Sequence, residues 1–186
     1  MQPHINQIVE FDRGKLDPHL LRGFVLGYSE TLTLLNELTD DYFLNGYSVI
    51  RNQDVVSYSA YDSPDYFLNR ALRLKGIKPK RAPKVDISDW PHLLKTANKL
   101  FPLITIHREL ISTSVCYIGT IQSTRAKTFD LFEINPDAEW DRERKYRFAD
   151  LTRVDFGGGY EDALWRVAED DGLPEMARPN KQFHRT

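Results

Sequence analysis

Apolar and polar residues alternate over short stretches along much of the chain, the period-two pattern of half-buried strands. Phe24, Leu26 and Tyr28 form one such run, Leu32 with Leu34 a second, and Val49 with Arg51 a third. Farther on, Thr128, Phe129, Leu131 and Phe132 mark a strand, and Tyr146 with Phe148 another. Polar tips separate them, Thr39-Asp40-Asp41 in the first set and Asn135-Pro136-Asp137 in the second. Ile8, Val9 and Phe11 lead into the first set, and Ile104, Ile106 and Arg108 into the second. Short strands at this spacing predict small antiparallel barrels or sandwiches, in which closure hides unpaired strand edges.

Helical spacing occurs in three places. Tyr66, Phe67, Arg70, Ala71 and Leu74 predict one helix face, and Tyr160, Ala163, Leu164 and Val167 another. Each of these helices follows a β-rich run (VVSYSAY or LTRVDF) and a turn signal, Ser63-Pro64 or Gly157-Gly158-Gly159. A third helix is capped by Ser88 or Asp89, carries Trp90, Leu93, Leu94, Ala97 and Leu100 on one face, and ends at Pro102.

The same unit occurs twice. With Gly23 laid on Gly119 and no gaps, identities fall at Gly23/Gly119, Leu35/Leu131, Glu37/Glu133, Asp41/Asp137, Arg51/Arg147 and Asp54/Asp150. Apolar character is kept at Val25/Ile121, Leu38/Ile134, Ile50/Tyr146 and Val55/Leu151. The expected architecture is therefore mainly β (α+β): two tandem small β-barrels, each followed by a helix. Residues 1–75 form the first barrel plus helix, 76–103 a basic linker with one amphipathic helix, 104–169 the second barrel plus helix, and 170–186 a frayed tail.

Each copy resembles the Sm-like barrel, a bent five-stranded fold associated with RNA. Gly23, Val25, Tyr28, Leu32 and Leu34 fit that family's first motif, with Ser29 and Thr33 where it carries Asp and Asn. Gly119 and Ile121 fit in the second copy, where those two positions are Arg125 and Phe129. Ile50-Arg51-Asn52 followed by Val55 and Tyr58 resembles the second motif, with Asn in place of Gly, and Tyr146-Arg147-Phe148 is its counterpart. The resemblance implies the fold; the altered Asp and Asn positions argue against family-style uridine recognition. The runs EINPDAEWD and DLTRVDFGGGYEDAL also resemble uncharacterised bacterial proteins, a likeness that carries no function.

Charge changes the picture by its distribution. The net value is −2, but residues 1–75 sum to −3, residues 76–103 to +4 and residues 104–169 to −3. Lys78, Lys80, Arg81 and Lys84 of the basic stretch suit phosphate or RNA. The competing reading lays the stretch against the acidic barrels. Arg51 and Arg147 share one repeat position, and their planar forks suit a base or a phosphate. Their structural alternative is an ion pair with Asp54 and Asp150, or with Glu37 and Glu133.

Other chemistry is sparse. A single cysteine, Cys116, excludes an internal disulfide and a thiolate zinc cluster, and its apolar strand predicts a small core residue. Asp137, Glu139, Asp141 and Glu143 alternate, yet Arg142 occupies the glycine position of a calcium loop. Gly157-Gly158-Gly159 lacks a full phosphate-loop pattern and reads as a tight turn. His107 beside Glu109 is the one candidate acid–base pair. No metal or cofactor is expected, nor a membrane span or secretory leader, and the expected setting is the reducing cytoplasm. The functional expectation is a non-catalytic macromolecule-binding or regulatory protein, with a protein partner ahead of RNA. One version is a toxin-neutralising immunity protein whose acidic face meets a basic nuclease. An enzyme of unknown class is the further alternative.

Overall fold

In the computed structural model, which describes residues 4–178, the alternating runs become strands of one antiparallel sheet. The first half contributes β1 (Ile8–Asp12), β2 (Leu21–Tyr28), β3 (Leu32–Leu38), β4 (Leu44–Arg51) and β5 (Ser57–Ala60). The second contributes β6 (Ile104–His107), β7 (Cys116–Thr124), β8 (Thr128–Ile134), β9 (Trp140–Arg147) and β10 (Arg153–Phe156). The ten strands lie in the order β5-β1-β2-β3-β4-β10-β6-β7-β8-β9. The halves are thus joined edge to edge, β4 against β10, in a single sheet that is not closed. The class is mainly β, as expected. Among the described residues no helix is long and apolar enough to cross a membrane.

The internal repeat is visible in the register. Gly23 faces Glu37 as Gly119 faces Glu133, and Leu32 faces Arg51 as Thr128 faces Arg147. Every β2–β3 and β3–β4 pair recurs 96 residues later, including the bulge at Val25/Gly27 and its counterpart at Ile121/Ser123. Only the first strand departs: Val9 faces Gly23 whereas Ile104 faces Gly119, so the loop into the second strand is one residue longer in the second copy. The shared glycine is explained by crowding. A Cβ at Gly23 would stand 2.5 Å from the Asn36 carbonyl oxygen, and one at Gly119 would collide with the Phe132 carbonyl.

The core repeats as well. Val9, Phe11, Leu21, Val25, Leu35 and Ile50 form the inner cluster of the first half. Their counterparts Ile104, Ile106, Tyr117, Ile121, Leu131 and Tyr146 belong to the larger cluster of the second half. That larger cluster also takes Leu32, Leu34 and Val49 from the first half. Strand β4 therefore sends Ile50 into one core and Val49 into the other, as strand alternation requires. Burial of the second face of β4 couples the halves.

Three helices cover the sheet: α1 (Phe67–Leu74), α2 (Trp90–Ala97) and α3 (Gly159–Asp171). Helix α1 buries Leu68 and Leu72, and α3 buries Leu164 and Ala168. These positions again differ by 96, and of them only Leu164 lies on the face expected from spacing. Phe67 and Leu74 are exposed, as are Tyr160 and Val167. Helix α2 begins as expected, with the Asp89 carboxylate accepting from the His92 amide at 2.9 Å. It ends at Ala97, five residues before Pro102, leaving Leu100 exposed. The early stop frees Asn98 to bond the Ile121 carbonyl and amide, each at 3.0 Å. In the first copy the backbone of Asn6 and Gln7 meets Val25 in the same way. Beyond Glu169, α3 continues two residues, and Ala177 is buried. Residues 179–186 of the expected tail lie outside the described residues.

Candidate binding surface

The basic stretch is a strap pinned to the first half. Its alternate residues are inward: Ile77 packs on the α1 cluster, and Val85 and Ile87 on the core beneath α2. Its backbone is held at fixed points. The Lys80 amide donates to Oδ1 of buried Asn36 at 2.9 Å, and Tyr47 donates its hydroxyl to the Arg81 carbonyl at 3.3 Å. Farther along, Thr96 Oγ1 accepts from the Asp86 amide at 2.9 Å, and the Thr31 hydroxyl donates to the Ser88 carbonyl at 3.1 Å. Lys78, Lys80, Arg81 and Lys84 point outward and are exposed. None of the four makes an ion pair among the described residues. Apolar and backbone contacts, not charge, hold the strap against the acidic first half.

Arg51 and Arg147 are occupied. Arg51 donates from Nε and Nη2 to the two Asp54 oxygens at 2.7 and 2.8 Å. Arg147 does the same with Asp150 at 3.0 and 2.5 Å. The two forks brace the same 3₁₀ turn in each copy. The Arg51 side chain is 15% exposed and that of Arg147 is 69% exposed. Glu37 and Glu133 go elsewhere, Glu37 to Ser48 and Arg153, and Glu133 to Arg144 and the Tyr146 hydroxyl. Burial and Glu133 together push the Tyr146 phenol far up.

A feature not read from the sequence sits where the halves meet. Arg153 on β10 donates to Asp155 at 2.7 Å, to Glu37 at 3.1 Å and to Ser48 at 3.3 Å, with Asp17 at 3.7 Å. His107 Nε2 lies 2.8 Å from Asp155. Arg13, almost wholly buried, forks onto Glu109 and approaches Asp17. The expected His107–Glu109 pair is therefore replaced by two cross-pairs, because side chains two apart on β6 and its extension are claimed by different neighbours. Burial alone would raise Asp155, but Arg153 and His107 outweigh it and hold its carboxyl below the usual range. Burial raises Glu37, with Arg153 opposing and Asp155 adding to the rise. The signal for this network is the run Arg153-Val154-Asp155-Phe156, which puts charge at positions where the first copy has Ser57 and Ser59.

A cleft of about 470 Å³ opens beside the strap, lined by Asn45, Lys80, Phe101, Glu161, Asp162 and Trp165 among others. Gly157, at φ 69°, turns the chain into α3 with its Cα facing the Phe101 ring, so the triple glycine serves the turn. Glu161 accepts from the Thr105 hydroxyl at 2.6 Å. Among the described residues no histidine lines the cleft. Cys116 is exposed at the start of β7, not in the core, because strand alternation turns it away from Tyr117 and the cluster that ring packs against. No protein-family model matches the chain, and no curated protein or solved structure matches it either.

Proposed function

We propose that the chain is a non-catalytic macromolecule-binding protein, built as two Sm/SH3-like barrels joined edge to edge, that engages a partner protein through the basic strap. The observation that carries this reading is the strap itself. Four exposed cations without ion pairs stand on a backbone fixed at both ends, so binding an anionic surface costs little ordering entropy. The charged side chains of the junction are already committed to one another. The topology within each half, with the fifth strand beside the first, supports the barrel reading. A second reading, single-stranded RNA, draws on the aromatic side chains Phe101 and Trp165 that share the cleft with Lys80.

The test is affinity purification from the native host, read by mass spectrometry and RNA sequencing together, with wild type and the K78E/K80E/R81E/K84E variant. A protein retained by wild type and lost by the variant is the expected result. RNA lost in the same way favours the second reading. Neither lost on charge reversal overturns the strap as the contact surface.

A further inference from the structure

Helix α1 has a second apolar stripe that is left mostly in water, with only Phe67 meeting the Tyr42 ring edge-on. Phe67 is 73% and Leu74 84% exposed, with half-buried Ala71 between them at i, i+4 and i+7. Residues 66–85 carry seven basic side chains and no acidic one. Two of these, Arg70 and Lys75, flank the stripe. Arg70, Arg73 and Lys75 make no ion pair among the described residues.

Helix α3 occupies the corresponding place in the second half and carries the opposite charge. It exposes Tyr160 at 53% and Val167 at 51%, with exposed Ala163 between them. Glu169, Asp170 and Asp171 stand where α1 has Arg73, Leu74 and Lys75, 96 residues earlier. Leu44, which packs with the α1 cluster, and Trp165 of α3 line the same cleft. The two helices hold equivalent places in their own halves, α1 against Leu38 and α3 against its counterpart Ile134.

We infer that two copies of this chain associate through these helices, α1 of each against α3 of the other. One molecule displays both complementary surfaces, so a two-fold arrangement that uses the contact twice closes. Each contact covers an apolar stripe on both partners and sets Arg70 and Lys75 near Asp170 and Asp171. A nucleic acid would leave Leu74 in water and be repelled by α3. The inference uses α1 and α3 and not the four strap cations, so it stands or falls separately from the proposed function.

The experiment is sedimentation velocity on the full chain at low salt and about 100 μM, where weak, small interfaces are populated. Wild type is expected at twice 21.7 kDa. The R70E/K75E and the D170K/D171K variants each sediment as monomers, with unchanged far-UV circular dichroism. Mixed one to one, they regain the dimer, because each reversed helix then meets a complementary partner. A monomeric wild type overturns the inference, whatever vesicles or oligonucleotides bind. So does a dimer that persists in either reversed variant, or a mixture that stays monomeric.

Discussion

Replacing Arg153 by Met removes a guanidinium but keeps most of the side chain's length. The guanidinium touches Asp155 and Glu37 and lies near Asp17, and its side chain is only 13% exposed. Without it three carboxylates face one another, relieved only by His107 and Arg13. Removing one partner of a buried ion pair costs roughly 3–5 kcal/mol. The remaining exposure places this case at about 3 kcal/mol, or roughly 6–12 °C in Tm for a chain of this size. In wild type, Asp155 has a depressed folded pKa. Its contribution is present above the unfolded value of about 4 and lost as pH falls through the folded value. In the variant, unrelieved repulsion raises the folded pKa values of Glu37 and Asp155. The penalty is then largest near neutrality and shrinks as these groups take up protons. Urea unfolding at pH 7 and pH 4.5 measures both effects. A loss below about 1 kcal/mol at pH 7, or a gap that widens on acidification, would refute the reasoning. Arg147→Met, at an exposed pair, is the control and leaves the midpoint unchanged.

Two further contrasts test the packing. Gly157 and Gly76 share φ near 69°, but a Cβ at Gly157 meets Phe101 at 2.6 Å whereas one at Gly76 meets nothing within 4 Å. Gly76→Ala is expected to cost about 1 kcal/mol for left-handed backbone alone, and Gly157→Ala clearly more, by thermal unfolding. Leu35 and Leu131 are repeat counterparts, each fully buried. Truncation of either to Ala is expected to cost about 2–5 kcal/mol, and a cost at one site alone would break the equivalence of the cores.

The repeat frame was legible because Gly23/Gly119, Glu37/Glu133 and Arg51/Arg147 hold positions that geometry fixes. These are a crowded strand crossing, an acid bonded across strands and a fork on a 3₁₀ turn. The Arg–Asp forks were among the alternatives written into the sequence, since the partners lie three residues apart. The helix faces were misread because α1 is apolar on two sides, and spacing cannot say which side meets the sheet. Leu68 and Leu72 win because the sheet presents Ile8, Phe24 and Leu38 to them. The junction left one mark in the sequence, charge at Arg153 and Asp155 where the first copy has Ser57 and Ser59. Pairing of β4 with β10 joins residues more than 100 positions apart, and Arg13, Glu37, His107 and Arg153 carry no local pattern that announces one cluster.

The central claim is that the two halves share one sheet through β4 and β10. The amide of Arg51 donates to the Thr152 carbonyl, so in this register Ile50/Arg153 and Ser48/Asp155 are non-hydrogen-bonded pairs with close Cα atoms. Cross-strand Hα–Hα nuclear Overhauser contacts between Ile50 and Arg153, and between Ser48 and Asp155, test it directly. Strong contacts at both pairs are predicted; their absence, with the contacts inside each half intact, would contradict the account.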